Sequence, residues 1–313
     1  MRNKLRGKHI LSALDLDEED LYQIFDLSRD LKKRFYLGER IIPVLRGKIL
    51  GLIFQKPSTR TRVSFEVAMK QLGGDTLYMS WNELQLGRGE TIADTARVLS
   101  RYLDGVVARV YRQSDLEELA NYSSIPIING LSDLEHPIQA VSDFFTIHEK
   151  FGRFKGLKIA FVGDGSDNVL NSLLAVGSRL GIDFWIATPS NYQPAKHILE
   201  KAYEFSEKSG GSIHITEDPR EAAKEADVVY TDVWVSMGQE AEREKRIRDL
   251  QSYRVDTKLM SLAKRNAVFM HCLPAHRGEE VTDEVMDGPN SIVWDQAENR
   301  LHVQKAILAL VLQ

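Results

Sequence analysis

Cysteine and long apolar runs are scarce in this chain, and each scarcity excludes a class of protein. One cysteine among 313 residues rules out an intrachain disulfide and fits a reducing compartment. No stretch approaches the roughly 20 apolar residues of a membrane span, and the N-terminus has no apolar run of signal-peptide length. The net charge of −4 argues against general nucleic-acid binding, which needs a basic surface. We therefore expect a cytoplasmic globular protein that acts on a small molecule, with no nucleic-acid or membrane partner.

Strand-like and helix-like segments alternate along the chain. The predicted strands cover residues 48–54, 76–80, 105–110, 125–130, 157–163, 182–188, 212–216, 227–233 and 267–272. The predicted helices include 58–72, 90–103, 115–123 and 136–152, and an apolar helix closes the chain. This alternation predicts an α/β fold of two doubly wound parallel-sheet units, split near residue 150. Ligands of such sheets bind beyond the carboxyl ends of the strands, so the loops after strands should carry the chemistry.

The stretch FQKPSTRTRVSFEVAMKQLGG places hydroxyl and guanidinium groups at the start of a predicted helix. The first N–H groups of a helix have no internal partner and its dipole is positive there, so the position suits an anion. Ser58, Thr59 and Thr61 add hydroxyl donors, and arginine adds a fork that suits phosphate. Residues two apart point to nearly opposite sides, which assigns Arg60 to the ligand and Arg62 to a structural ion pair. Taken alone, the stretch also fits a well-capped helix with exposed arginines.

The segment VGDGSDN, residues 162–168, partly matches the dinucleotide fingerprint G-x-G-x-x-G. Gly163 and Gly165 fit, but Asn168 stands where a third glycine should allow close helix packing. The next predicted strand ends without an acidic residue for a ribose. NAD binding is therefore disfavoured, and the polar Asn168 suits a small zwitterion instead. An ordinary glycine turn is the alternative.

Two further segments, DVWVSMG and MHCLPAHRGEE, follow the last two predicted strands. Asp232 in the first could bind an ammonium group in a loop that also holds Ser236 and Met237, although a lone Asp at a strand end is often a cap. The second delivers His271 and Cys272 to a loop, where the thiol could touch a substrate. A buried and inert cysteine is the commoner case. The cysteine and histidines of this segment lack a metal-site spacing, so no metal is predicted.

Polar donors also stand in EHPIQ, at the start of another predicted helix. His136 and Gln139 are three apart, on one face, and could together hold a carbonyl group. Taken alone, a structural histidine is the favoured interpretation. Arg109, which ends a predicted strand, and Arg300, in AENRLH, are further donors that could converge.

Taken in order, S-T-R-T, D-T-A-R-V, an arginine that ends a strand, H-P-x-Q and H-C-L-P resemble the aspartate/ornithine carbamoyltransferase family. The resemblance extends from about residue 5 to the end, and S-T-R-T with H-P-x-Q at this separation is highly specific. DVWVSMG and HCLP resemble the ornithine-specific members, although Ile138 stands where those commonly have threonine. The resemblance implies transfer of the carbamoyl group of carbamoyl phosphate to the δ-amine of L-ornithine, which yields L-citrulline and phosphate.

The resemblance also implies an organisation and a set of site residues. It implies a carbamoyl-phosphate domain at 1–148 with the last helix, 299–313, packed back on it, and an ornithine domain at 149–298. It also implies an enzyme of arginine biosynthesis that forms a homotrimer or a higher assembly of trimers. The implied carbamoyl-phosphate residues are Ser58, Thr59, Arg60, Thr61, Gln85 from the neighbouring subunit, Arg109, His136, Gln139, Cys272, Leu273 and Arg300. The implied ornithine residues are Asn168, Asp232, Ser236 and Met237. The implied catalytic residues are Arg60, Arg109, His136 and Cys272, and no cofactor is implied.

Three alternatives stay open at this point. A sister carbamoyltransferase could act on aspartate, putrescine or N-acetylornithine, but Asp232 and the SMG segment favour a free α-amino acid with a cationic tail. An NAD-dependent oxidoreductase is disfavoured by Asn168. A non-catalytic binding subunit is disfavoured because the four catalytic residues are all retained.

Overall fold

The computed structural model describes residues 3–236 and 238–313, and its chain divides into two compact units. The first unit comprises the described residues up to Ser142 together with Asn299–Gln313, and the second comprises Asp143–Glu298. Both boundaries fall inside helices, one in α5 (Pro137–Phe151) and one in α12 (Val293–Val311). Each helix among these residues is too short or too polar to cross a membrane.

The first unit is built on a parallel sheet with strand order β2-β1-β3-β4. The strands are β1 (Ile49–Phe54), β2 (Asp75–Ser80), β3 (Gly105–Arg109) and β4 (Ile127–Leu131). Besides the first part of α5 and most of α12, its helices are α1 (Glu18–Tyr36), α2 (Thr59–Gln71), α3 (Ile92–Leu99) and α4 (Gln113–Tyr122), with 3₁₀ helices at Ala13–Asp15, Trp81–Glu83 and Gln85–Arg88. The strand order reverses between β1 and β3, so the loops after these two strands flank the place where such sheets bind ligands.

The second unit is a larger sheet with strand order β7-β6-β5-β8-β9, also parallel throughout. Its strands are β5 (Lys158–Val162), β6 (Asp183–Ala187), β7 (Ser212–Thr216), β8 (Val228–Tyr230) and β9 (Val268–Met270). Its other helices are α6 (Asn168–Gly177), α7 (Lys196–Ser209), α8 (Pro219–Ala223), α9 (Arg243–Leu250), α10 (Thr257–Met260) and α11 (Asp283–Met286), with 3₁₀ helices at Glu240–Glu242 and Gln251–Tyr253. Here the order reverses between β5 and β8, which precede the glycine-rich turn and the DVWVSMG loop. The predicted fold class of two parallel-sheet α/β units is confirmed.

The close packing of each sheet depends on glycine at specific points. A Cβ on Gly105 in β3 would lie 2.6 Å from the side chain of Leu312, which follows α12. A Cβ on Gly177 in α6 would lie 2.5 Å from the Phe144 ring of α5. A larger residue at Gly177 would collide with this ring and with the Phe184 ring of β6, 2.6 Å away, whereas at Gly105 the Leu312 side chain would have to shift.

Three predicted elements extend well beyond the observed ones, and a polar side chain explains one end of each. The predicted strand 227–233 ends at Tyr230 because the Thr231 hydroxyl donates to the Val162 carbonyl at 2.6 Å. The predicted strand 267–272 ends at Met270, where the His271 N–H donates to the Gln296 side chain at 3.0 Å instead of continuing the sheet. The predicted helix 90–103 begins only at Ile92, because the Thr91 hydroxyl caps it at the N–H of Asp94, 3.1 Å away, and it ends at Leu99.

Candidate active site

The N-terminus of α2 carries the S-T-R-T motif directly after β1. Ser58 is the N-cap, and its hydroxyl accepts from the Thr61 N–H at 3.3 Å. No acidic residue stands in the first turn, so nothing there competes with an anion for the positive end of the helix. Thr59 is the first residue of α2 and is exposed. The local sequence therefore leaves the positive end of α2 without a carboxylate, and the anion site that the motif predicts stays a prediction.

The two arginines of the motif have different surroundings. Arg62 is exposed, its Nε donates to Glu66 at 2.8 Å, and its guanidinium lies 3.7 Å above the Tyr78 ring. The predicted structural ion pair of Arg62 is confirmed. Arg60 makes no ion pair with any described residue, which leaves its guanidinium available for an anion.

Arg300 contacts two other predicted site residues, which come from distant parts of the sequence. Its Nη1 donates to Gln139 Oε1 at 2.9 Å, and its Nη2 donates to Thr61 Oγ1 at 3.0 Å. Arg300 is 3% exposed and Thr61 is fully buried, so both contacts are made away from bulk water. The Thr61 hydroxyl accepts this hydrogen bond and keeps its own proton for a ligand. Thus α2, the first turn of α5 and α12 meet at one guanidinium.

His136 stands among the arginines of the first unit. It is 4% exposed, and burial lowers its pKa well below the usual value, with further lowering by Arg300, Arg109 and Arg60. Arg109 ends β3 and pairs in register with Phe54, the last residue of β1 before the motif. The imidazole is therefore neutral at neutral pH and can donate a single N–H. We call Ser58, Thr59, Arg60, Thr61, Arg109, His136, Gln139 and Arg300 the phosphate cluster.

Two further residues of the first unit lie close in sequence to the motifs: Gln85, which was predicted, and Lys56, which was not. Gln85 begins a 3₁₀ helix and its side chain is exposed, and its role in a neighbouring subunit stays a prediction. Lys56 was missed by sequence reasoning, although it stands two residues before Ser58. It is buried, and its ammonium lies 4.4 Å above the Tyr111 ring. The position of this lysine beside a motif that suits an anion could have indicated it from the sequence.

In the second unit, the glycine-rich turn after β5 precedes α6. Gly163 has φ +139°, and a Cβ on Gly165 would lie 2.3 Å from the Tyr192 carbonyl oxygen. Both glycines are therefore explained by backbone geometry and packing. Asn168 is the first residue of α6, and Asp167 is its N-cap, with Oδ1 accepting from the N–H groups of Val169 at 2.8 Å and Leu170 at 3.0 Å. Sequence reasoning missed Asp167, which the preference for Asp at N-caps could have found.

Asp232, His271 and Cys272 lie together where β8 and β9 end. One carboxylate oxygen of Asp232, one ring nitrogen of His271 and the sulfur of Cys272 all lie within 4.8 Å of one another. Burial raises the pKa of Asp232, and this rise is partly offset by His271 and by a hydrogen bond from Cys272. Burial and the neighbouring carboxylates Asp232 and Asp167 raise the pKa of the Cys272 thiol well above its usual value. Cys272 is therefore a neutral thiol at neutral pH rather than a nucleophile.

The backbone after Cys272 is fixed by a buried hydrogen-bonded pair. The Leu273 N–H donates to His271 Nδ1 at 2.9 Å, so the imidazole proton is on Nε2, which faces Glu280 Oε1 at 3.2 Å. Leu273 has φ +61°, a region that a leucine rarely adopts without such support. Sequence reasoning missed Glu280, nine residues after His271 in the same segment.

The DVWVSMG loop supplies the remaining predicted amino-acid ligands. The Ser236 N–H donates to the Gln239 side chain at 3.0 Å, and the serine is partly exposed. Met237 lies outside the described residues. We call Asn168, Asp232 and Ser236 the amino-acid cluster.

Both units match known carbamoyltransferases. A family model described as "Aspartate/ornithine carbamoyltransferase, carbamoyl-P binding domain" matches residues 8–149, and one described as "Aspartate/ornithine carbamoyltransferase, Asp/Orn binding domain" matches residues 155–311. The ornithine carbamoyltransferase of Staphylothermus marinus is 58% identical over 313 residues, which cover 100% of both chains. A Pyrococcus furiosus relative named "Ornithine carbamoyltransferase, anabolic" is 54% identical over 308 residues, 98% of this chain and 97% of the relative.

Solved structures agree with the sequence comparisons. The ornithine carbamoyltransferase structure from Pyrococcus furiosus matches with a TM-score of 0.95 at 54% identity, over 98% of both chains. The structure from Gloeobacter violaceus matches with a TM-score of 0.87 at 45% identity, over 99% of both chains. The chain therefore belongs to the aspartate/ornithine carbamoyltransferase family.

Proposed function

We propose that this enzyme transfers the carbamoyl group of carbamoyl phosphate to the δ-amine of L-ornithine, which yields L-citrulline and phosphate. Its full-length relatives are named ornithine carbamoyltransferases. The observation in the molecule that carries the proposal is a neutral His136 among three guanidinium groups, because such a cluster suits a phosphorylated carbonyl compound. The biosynthetic direction is favoured because one relative is named anabolic.

In this proposal the phosphate cluster binds and activates carbamoyl phosphate. The N-terminus of α2 and Arg60 hold the phosphate, and Arg109 and His136 donate to the carbonyl oxygen. Gln139, fixed by Arg300, and the Leu273 carbonyl accept from the carbamoyl NH₂ group. The donors are in place before negative charge develops, so no reorganisation is needed in the transition state.

The transfer itself needs an uncharged amine. The δ-nitrogen attacks the carbamoyl carbon, a C–N bond forms, the C–O bond to phosphate breaks, and the proton that the nitrogen loses is taken up by the departing phosphate. The amino-acid cluster holds the other end of ornithine, with Asp232 on the α-ammonium and Asn168 on the α-carboxylate. Free ornithine is protonated at its δ-amine near neutrality, as lysine is. The rate should therefore rise with pH, and a flat rate between about pH 6 and 9 at saturating substrate would contradict this step unless product release limits turnover.

An acceptor assay tests the proposed reaction. The protein is incubated with carbamoyl phosphate and, separately, with ornithine, putrescine, aspartate and N-acetylornithine, and phosphate and carbamoylated product are both measured. We expect citrulline formation to exceed the other products by orders of magnitude. Faster reaction of any other acceptor would assign the enzyme to a sister specificity.

A matched pair of variants tests the phosphate cluster. Arg60→Ala should reduce carbamoyl phosphate binding and kcat severely, because it removes the one guanidinium of the motif without an ion pair. Arg62→Ala is the control, since it removes an exposed arginine of the same helix that pairs with Glu66. Equal losses in the two variants would contradict the assignment of Arg60.

Two finer features also belong to this proposal. We propose a cytoplasmic homotrimer in which Gln85 serves the phosphate cluster of a neighbouring subunit, supported by its exposed side chain in the glycine-flanked segment LQLGRG. Sedimentation and a Gln85→Ala variant test this together, because the variant should lose activity while the trimer persists. We also propose that the SMG loop closes over ornithine after carbamoyl phosphate binds. A crystal with both ligands and an unmoved, open loop would contradict that closure.

A further inference from the structure

Arg246, on α9, has almost no exposed surface, unlike the other charged residues of its helix. Its sequence context, EREKRIRDL, gives no sign of burial. Arg246 is 5% exposed, whereas Arg243 and Arg248 on the same helix are exposed. A charged side chain is buried at a cost unless it is paired and hydrogen-bonded, so its partners carry information.

The first partner of Arg246 is the glycine-rich turn after β5. Its Nη1 donates to Asp164 Oδ2 at 2.6 Å, and Asp164 is only 2% exposed. The other oxygen of Asp164 accepts from the N–H and the hydroxyl of Ser166, at 2.9 and 2.6 Å. Asp164 thus joins α9 to the interior of the turn that ends in Asn168.

The second partner is the DVWVSMG loop after β8. The same Nη1 donates to the Trp234 carbonyl oxygen at 3.3 Å. Trp234 is buried and lies between Asp232 and Ser236, the two residues of this loop that we propose to hold ornithine. One guanidinium nitrogen therefore contacts both segments that supply the proposed amino-acid ligands.

The third partner is the loop after β6. The guanidinium of Arg246 lies 5.0 Å from the centre of the Tyr192 ring, and the Tyr192 hydroxyl donates to Asp249, one turn further along α9, at 3.0 Å. The Tyr192 carbonyl accepts from the Thr188 hydroxyl at 2.8 Å, and that hydroxyl oxygen accepts from the Gly165 N–H at 2.9 Å. Tyr192 therefore connects Arg246 to the glycine-rich turn by a second route, through Thr188 and Gly165.

We infer that Arg246 is a positioning residue for the amino acid substrate, which acts by holding the glycine-rich turn and the Trp234 end of the DVWVSMG loop in one fixed arrangement, ahead of the SMG residues that we propose to close. This inference rests on the proposed function. A planar guanidinium suits this place because Nη1 reaches Asp164 and Trp234 while Nε donates to Glu242 at 3.3 Å, whereas a lysine ammonium is a single point charge. Small displacements of positioning groups weaken binding and slow the reaction strongly.

The experiment uses the paired variant Asp164→Asn/Arg246→Met in the full-length enzyme. Removing both charges avoids leaving one buried charge without its partner, which would destabilise the fold. We expect the KM for ornithine to rise about tenfold or more, with the KM for carbamoyl phosphate within about twofold of wild type and an unchanged thermal midpoint. Arg246→Lys keeps the charge and should show an intermediate rise in the KM for ornithine.

The control is Arg243→Met, which breaks an ion pair between the same helix and Glu279. It should leave both KM values unchanged, because Arg243 contacts neither the turn nor the loop through this pair. An unchanged KM for ornithine in the double variant would overturn the inference, and so would equal rises for both substrates. Wild-type enzyme that fails to carbamoylate ornithine would instead refute the proposed function.

Discussion

The strongest prediction concerns the buried imidazole of His136 and the pH dependence of stability. Burial and three arginines lower its pKa in the folded protein well below the value of about 6.5 that it has in an unfolded chain. Between these two values the unfolded chain binds a proton that the folded protein does not. The free energy of unfolding must therefore fall as the pH drops below about 6.5.

The size of this loss follows from the linkage relation. At pH 7.5 the imidazole is mostly neutral in the unfolded chain as well, so the titration of His136 lowers the free energy of unfolding by only about 0.1 kcal/mol. At pH 5.5 it is mostly charged, and the folded protein should be about 1.4 kcal/mol less stable on this account alone. The replacement His136→Asn removes the titrating group and keeps a polar amide, so it should lack this part of the pH dependence.

Urea unfolding of the ligand-free wild type and His136→Asn at both pH values measures the effect. Contributions from all other titrating groups cancel in the comparison of the two proteins. We expect the wild type to lose about 1.4 kcal/mol more than the variant between pH 7.5 and 5.5. Equal losses would refute the reasoning, because they would mean that the folded protein protonates His136 as readily as the unfolded chain does.

Three other predictions follow from two buried groups and one partly buried group. Arg300→Lys should raise the KM for carbamoyl phosphate about tenfold or more, because an ammonium cannot keep both guanidinium hydrogen bonds, and an unchanged KM would contradict the role of this fork. Cys272 should react slowly with iodoacetamide at pH 8, with a rate that still rises above pH 9, whereas rapid labelling at pH 7 would show a thiolate. Lys305 is 2% exposed, and burial and Arg40 lower its pKa to about 8, so wild-type stability should rise with pH above 8. Lys305→Met should abolish that rise and stabilise the protein at pH 7 by about 1–2 kcal/mol in urea unfolding, after allowance for solvent screening.

Sequence reasoning succeeded where the physical cause is local. The helix after β1 was predicted within a residue at each end because Ser58 is a good cap and glycines follow its last turn. Helical geometry alone predicted that Arg60 and Arg62 face different sides; the ion pair of Arg62 is confirmed, and the ligand role of Arg60 stays a prediction. The parallel sheets followed from the alternation of apolar and amphipathic segments.

Sequence reasoning failed where the cause is a contact between distant residues. Arg246 and Asp164 stand 82 positions apart, and the hydrophobic periodicity of the two segments does not indicate that they are partners. Arg300 was predicted as a donor, but its contacts with Thr61 and Gln139, 239 and 161 positions away, come only from the fold. The early end of β8 has the same origin, since the Thr231 hydroxyl bonds to a carbonyl on a neighbouring strand.

The discontinuity of the first unit has a consequence for how a ribosome makes this protein. Residues up to Ser142 emerge first, and the remainder of that unit, Asn299–Gln313, emerges only after the whole of Asp143–Glu298. At about 5–20 residues per second, this interval is roughly 8–30 s. During it Thr61 and Gln139 lack Arg300, and Gly105 lacks the side chain of Leu312 that packs against it. A nascent chain therefore cannot complete its phosphate cluster until residues 299–313 have left the ribosome.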